Sequence, residues 1–103
     1  MSEFDHKQID DVIHGRVRLA IMAYLASVEE SDFGLLKSTV NVSDGNLSTH
    51  LRKLEEAGYL QVEKGFQGRR PQTLCRLTDQ GRKAFSAYIS HLESLIPKAP
   101  PGT

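Results

Sequence analysis

A leucine-lined helix between Ser43 and Gly58 is the feature that most constrains the fold of this chain. Leu47, Leu51 and Leu54 recur at spacings of four and three residues, which predicts one apolar helix face. Ser43 is a typical N-cap residue, and Gly58 is typical of the position just after a helix end. Because a helix with one apolar stripe must bury it, this segment predicts packing against other elements of a small core.

The opposite side of this helix is small, polar and cationic. At about 100° per residue, that side carries Gly45, Thr49, Arg52 and Glu56, with Ser48 and Lys53 at its edges and Asn46 beyond them. Hydroxyl, amide and cationic groups suit hydrogen bonds to base edges and phosphates. The face therefore predicts a helix that lies in the major groove of DNA. The alternative is a solvated surface, with Arg52 and Glu56 as an ordinary i, i+4 ion pair.

A basic hairpin is predicted directly after this helix. Residues 59–66 are rich in strand formers, 74–77 alternate polar and apolar side chains, and Gly68 and Pro71 mark a turn. Arg69 and Arg70 fall at the predicted tip, where they suit contacts with the DNA backbone or the minor groove. Lys64 and Arg76 would add positive charge along the hairpin. The alternative is a turn whose charges only keep the protein soluble.

The other elements predicted from apolar spacing are helices. They cover residues 15–27, 33–38 and 78–96, with Ser31 or Asp32 and Thr78 as N-caps. Residues 1–11 are predicted to be a flexible N-terminus or a short leading helix, and 97–103 a flexible tail. The order of elements predicts a mainly α fold with a small β-hairpin wing, a winged helix-turn-helix domain over residues 12–96.

The composition excludes several classes of protein. A chain of 103 residues with one cysteine and no long apolar run predicts one cytoplasmic domain with no membrane partner. Net charge is zero, yet residues 1–34 hold three Lys/Arg against seven Asp/Glu, and 35–84 hold nine against five. This separation predicts one electropositive face. No phosphate-binding loop or nucleophile motif is present, so we expect neither an enzyme nor a cofactor.

The cysteine and the histidines do not form a recognisable metal motif. His6, His14 and His91 are too scattered along the sequence to form a site by spacing, so no metal is predicted. Cys75 is expected to be a half-buried small apolar residue. His50, at the edge of the leucine face, is expected to be packed and hydrogen-bonded.

The last predicted helix carries more apolar residues than one side of a small core needs. Its stripe repeats at nearly heptad spacing and predicts a homodimer contact through Phe85, Tyr88, Ile89, Leu92 and Leu95. Symmetric dimers are also the commonest soluble oligomers.

Three segments, at residues 42–59, 69–71 and 77–81, resemble the MarR/ArsR-like winged-helix transcriptional regulators. The Leu-Glu-Glu-Ala-Gly-Tyr run that ends at Tyr59 and the Leu-Thr-x-x-Gly run that starts at Leu77 carry this resemblance. It implies a homodimeric repressor of a pseudo-palindromic operator, with a recognition helix at 43–57 and a wing at 60–77. Metal sensing is not implied, because those sensors carry cysteine pairs or His/Asp clusters.

These observations predict contacts with double-stranded DNA. The expected contact residues are Ser43, Gly45, Asn46, Ser48, Thr49, Arg52, Lys53, Lys64, Arg69 and Arg70. Two alternatives stay open at this point. One is a winged helix that binds a protein, since the fold serves both uses. The other is a regulator that responds to an unidentified small-molecule effector or to oxidation of Cys75.

Overall fold

Four helices and a three-stranded antiparallel sheet make up residues 9–96, the part of the chain that the computed structural model describes. The elements are α1 (Arg16–Ala26), β1 (Ser31–Asp32), α2 (Phe33–Val40), α3 (Asp44–Glu56), β2 (Leu60–Gln67), β3 (Arg70–Leu77) and α4 (Asp79–Glu93). The predicted mainly α, winged helix-turn-helix fold is confirmed. The predicted tail at 97–103 lies outside the described residues, as does the predicted N-terminal segment apart from residues 9–11.

Side-chain caps fix where three of the helices begin. Asp32 accepts a hydrogen bond from the Leu35 amide at 2.7 Å, and Ser43 accepts one from the Asn46 amide at 3.2 Å. Thr78 caps α4 in the same way, through the Gly81 amide at 2.9 Å. Each cap satisfies a backbone donor that the first helical turn leaves without a partner. The three N-caps predicted from sequence are therefore confirmed.

The sheet contains one strand that the sequence did not predict. Its order is β1-β3-β2, with Ser31 paired to Cys75 and Asp32 to Leu74. The segment between α1 and α2 thus ends in a two-residue strand. Strand β3 also begins earlier than expected, because Pro71 lies within it and pairs with Phe66. Since β1 does not reach that far, one edge of β3 is free there and tolerates a residue without an amide hydrogen.

The core lies between the helices and the inner end of the hairpin. Its buried members are Ile13, Ile21, Met22, Leu25, Leu36, Leu47, Leu51, Leu54, Leu60, Cys75, Leu77 and Tyr88. The predicted leucine face of α3 is confirmed, since all three of its leucines are buried. Leu35 of α2 is 51% exposed, whereas Met22 of α1 is fully buried.

Asp10 links the start of the described chain to the end of α3. One of its carboxylate oxygens accepts hydrogen bonds from the amides of Val12 and Ile13, at 2.8 and 3.2 Å, and the other accepts one from the Tyr59 hydroxyl. Residues 11–13 consequently form a turn. This turn inserts Ile13 into the core.

The first turn of α4 packs directly on the backbone that joins α3 to β2. Thr78 donates from its hydroxyl to the Gly58 carbonyl at 2.6 Å and from its amide to the Tyr59 carbonyl at 3.0 Å. A Cβ atom at Gly81 would lie 2.1 Å from the same Tyr59 carbonyl oxygen. Because real Cβ atoms do not approach a backbone oxygen so closely, Gly81 is required for this contact.

Residues 9–96 include no helix that is both long enough and apolar enough to cross a membrane.

We expect Gly81→Ala to destabilise the fold by about 3 kcal/mol, at the upper end of overpacking effects, because the backbone oxygen cannot move aside. The matched control is Gly45→Ala in α3, where a Cβ atom meets nothing within 4 Å. The control should be neutral or stabilising by up to ~1 kcal/mol. Thermal and urea denaturation measure both changes, and equal stability of the two variants would contradict the packing argument.

Candidate nucleic-acid interface

Helix α3 exposes the face that the sequence predicted for DNA. All the predicted α3 contact residues are exposed: Gly45, Asn46, Ser48, Thr49, Arg52 and Lys53. The Ser43 hydroxyl is occupied in the helix cap, and the Thr49 hydroxyl donates to the Gly45 carbonyl at 3.0 Å. Arg52 and Lys53 are in none of the ion pairs found in residues 9–96, so the predicted alternative pairing of Arg52 with Glu56 is absent.

One flank of α3 faces the hairpin across an open cleft of about 420 Å³. Arg52 and Ser48 of α3 line it on one side, and Lys64 and Thr73 line it on the other. Apolar side chains of the core and the carboxylate of Glu55 complete the lining. The cleft therefore brings together two cations and two hydroxyls from elements that are distant in sequence.

The other flank of α3 holds a second basic group that the sequence analysis did not identify. Arg18 of α1 and Lys53 line a shared surface cavity of about 370 Å³, together with the carboxylates of Asp11 and Glu56. Burial lowers the pKa of His50, and the positive charges of Arg18 and Lys53 lower it further. Those charges show that Arg18 lies near the helix. No sequence signal pointed to it, because α1 and α3 meet only in the folded chain.

His50 itself differs from its prediction. It is partly buried as expected, but its Nδ1 atom is buried without a hydrogen-bond partner in the described residues, as is the Nε atom of Arg18.

The hairpin tip carries the strongest uncompensated charge of this surface. Gly68 has a φ of 65°, the left-handed conformation that a two-residue turn between Gln67 and Arg70 requires. Arg69 lies in this turn and Arg70 starts β3, and both are exposed and outside the ion pairs of the described residues. The predicted position of the two arginines is close to that observed, although Arg70 belongs to the strand.

Arg76 does not add free charge to the wing, contrary to the prediction. Its guanidinium donates to Glu63 at 2.8 Å and to Glu30 at 3.2 Å. The hydrogen bond to Glu63, and less strongly that to Glu30, raises the pKa of Arg76. Arg76 pairs directly with Gln61, and Glu63 lies two residues further along β2 on the same side of the sheet, diagonally across from Arg76. On the hairpin, the cations outside the ion pairs of the described residues are therefore Lys64, Arg69 and Arg70.

Cys75 is more deeply buried than predicted. Its side chain is fully inaccessible in the core, and burial is the main reason that its pKa rises to about 11. In residues 9–96, no three His, Cys, Asp or Glu side chains come together as a possible metal site.

The stripe predicted for dimer contacts divides into buried and exposed residues. Tyr88 is only 2% exposed, and its hydroxyl is hydrogen-bonded to His14 Nδ1 at 2.8 Å. It was wrong to assign Tyr88 to a dimer contact, because it is a core residue of the protomer. Phe85 and Leu92 are half-buried against the core, whereas Ile89 and Leu95 are 36% and 50% exposed. Helix α4 ends at Glu93, so Leu95 lies in the turn beyond it.

Comparison with known proteins identifies the family. The family model described as a winged helix DNA-binding domain matches residues 17–96. The chain belongs to this family. An uncharacterized protein of Methanocaldococcus jannaschii is 38% identical over 84 residues, which cover 82% of this chain and 91% of that protein.

Solved winged-helix structures agree with this assignment. A transcriptional regulator homologue from Pyrococcus horikoshii has a TM-score of 0.80 at 27% identity, covering 86% of this chain and 89% of that chain. Overoxidized AbfR bound to DNA, a Staphylococcus epidermidis protein, has a TM-score of 0.75 at 20% identity, covering 88% and 66%. MarR-family and ArsR-family regulators share the fold at TM-scores of 0.67 and 0.57. The predicted winged-helix class is confirmed, and the family model together with the Pyrococcus horikoshii structure supports a DNA-binding regulator.

The Cys75 thiol should be unreactive in the folded protein. With a pKa of about 11, only about one thiol in ten thousand is ionised at neutral pH, and the thiolate is the reactive form. We expect Ellman's reagent to label the native protein far more slowly than the protein unfolded in guanidinium. Rapid labelling of the native state would instead favour the redox-sensor alternative.

Proposed function

We propose that this protein is a dimeric transcriptional repressor that binds a pseudo-palindromic operator through α3 and the hairpin wing. The observation that carries the proposal is one continuous exposed surface. It runs from the polar face of α3, across the cleft with Arg52 and Lys64, to the unpaired arginines at the wing tip. A duplex with α3 in its major groove would meet cations on both sides of the helix.

Each part of this surface has a distinct role in the proposal. Small side chains at Gly45 and Thr49 allow the helix to approach the base edges closely. Arg52 contacts phosphate or guanine, and a bidentate guanine contact would contribute roughly 1–3 kcal/mol of discrimination. Lys64 neutralises the backbone on the wing side, and Arg18 with Lys53 neutralises it on the other side.

The carboxylates of Glu55 and Glu56 limit the orientations in which a duplex can bind to α3. Both lie in the second half of α3, where they line the cavities on its two flanks. Phosphates are repelled from these positions, so the N-terminal half of α3 enters the groove most deeply. A protein with the same fold has been described in a DNA-bound form, which supports duplex DNA as the partner.

The proposed dimer contact uses the residues of the α4 stripe that the core leaves accessible. These are Phe85, Ile89, Leu92 and Leu95. Phe85 and Ile89 also line a surface cavity of about 360 Å³ with residues of α1 and α4, which a partner side chain would fill. In the dimer, the two α3 helices would be one DNA turn apart, about 34–36 Å. Repression would follow if the bound dimer covers a promoter.

Selection from a random duplex library tests DNA recognition directly. We expect enrichment of a palindrome with half-sites one helical turn apart. On the selected duplex, Arg69→Gln with Arg70→Gln should lower affinity and reduce the slope of log K against log salt concentration by about two, since each phosphate contact contributes ~0.9.

Lys83→Gln on α4 is the matched control, because it removes an exposed cation outside the proposed surface. It should leave the salt slope unchanged. If no sequence is enriched and the arginine variant binds like wild type, the surface is better explained as a protein-binding one.

The dimer is tested by placing a charge on the α4 stripe. Leu95→Glu should convert a micromolar dimer to a monomer in light scattering, because a carboxylate cannot be buried in an apolar contact without a partner. Leu35→Glu on α2 is the matched control, since Leu35 is 51% exposed and Leu95 is 50% exposed. A wild-type protein that is monomeric at this concentration would refute the proposed dimer.

A further inference from the structure

Phe66 is the most exposed large apolar side chain of residues 9–96. It lies near the wing tip and is 73% exposed, whereas the apolar residues at the inner end of the same strand are buried or half-buried. At this exposure, its ring contributes little to the stability of the protomer. The fold therefore does not explain why an aromatic residue lies at the tip.

The register of the hairpin gives the direction in which Phe66 points. Directly paired residues of antiparallel strands lie on the same side of the sheet, and sides alternate along each strand. Phe66 pairs with Pro71, and the next pair on the same side is Lys64 with Thr73. Both members of that second pair line the cleft with Arg52 of α3. The Phe66–Pro71 pair thus extends the cleft side of the hairpin out to its tip.

The length of the hairpin beyond the core is suited to crossing a DNA backbone. Val62 is the last half-buried residue of β2, and Phe66 lies four residues further along the strand. At ~3.4 Å per residue this is about 14 Å. If α3 lies in the major groove, a hairpin that projects this far beyond the core would extend over the adjacent phosphate backbone towards the minor groove.

The charge around Phe66 favours nucleic acid as its partner. Arg69 and Arg70 are next to it at the turn, and neither is paired with an acidic group of the described residues. Unpaired cations beside an exposed ring suit a partner that offers both an apolar surface and negative charge. A base step flanked by phosphates offers both, because the ring can contact the bases and the arginines can contact the phosphates.

We propose that Phe66 enters the minor groove beside the α3 site and wedges against a base step, with Arg69 and Arg70 on the flanking phosphates. This inference rests on the proposed DNA-binding function. Apolar wedges of this kind partly unstack a step and kink the duplex by roughly 20–90°. Because pyrimidine–purine steps unstack most readily, Phe66 would also give the operator a preference at a position that α3 does not touch.

The test compares DNA bending by wild type, Phe66→Ser and Phe66→Leu on the selected duplex with fluorophores at its two ends. We expect Phe66→Ser to lose the energy-transfer change that reports bending and to bind about tenfold more weakly. Phe66→Leu should retain most of both, since leucine is also an apolar wedge. The salt slope should stay that of wild type in both variants, because no cation is removed.

Leu35→Ser is the control for loss of an exposed apolar side chain, and it should not alter bending. Unchanged melting temperatures would show that the Phe66 variants are folded. Wild-type affinity and bending in Phe66→Ser would overturn the wedge and leave the DNA-binding proposal intact. If Phe66→Ser loses self-association and bends DNA as the wild type does, the ring contacts a second copy of this chain. That result would overturn the wedge proposal. Absence of any wild-type binding would overturn both proposals.

Discussion

The contact on which the rest of the structure depends is the junction between the end of α3 and the start of the wing. Gly58 turns the chain with a φ of 84°, and Tyr59 donates its amide to the Leu54 carbonyl at 3.0 Å. Thr78 and Gly81 of α4 then pack on this turn, and Asp10 binds the Tyr59 hydroxyl. The junction therefore fixes the angle between the helix and the hairpin. Two elements can contact neighbouring grooves of one duplex only if that angle is constant.

The packing of the elements also decides which cations of the surface around α3 and the hairpin are paired with carboxylates. The chain has no net charge, and the surface around α3 mixes cations with the carboxylates of Glu55 and Glu56. Pairing of Arg76 with Glu63 and Glu30 leaves the free cations at the cleft and the tip. These exposed pairs contribute little stability, because solvent screens them. Their larger effect is that Arg76 is not available for a contact with the duplex.

Local signals predicted most of the fold. The N-caps at Ser43 and Thr78 and the leucine face of α3 depend on residues within one or two turns of each other, so they can be read from sequence. The strand formers at 59–66 and the alternation at 74–77 predicted the hairpin for the same reason, whereas its limits at 60–77, which the observed strands match, came from the family resemblance. Strand β1 was missed because its two polar residues pair only with β3, more than forty positions away. A pairing at that separation leaves no local periodicity.

The sequence by itself determined which residues are available for a DNA contact and which helix face carries them, because a 3.6-residue period separates leucines from polar side chains wherever the helix lies. Only the tertiary structure decided how these residues are combined. It placed Arg18 beside Lys53, neutralised Arg76, buried Tyr88 and left Phe66 exposed at the tip. Each of these outcomes depends on contacts between elements distant in sequence, which spacing along the chain does not encode.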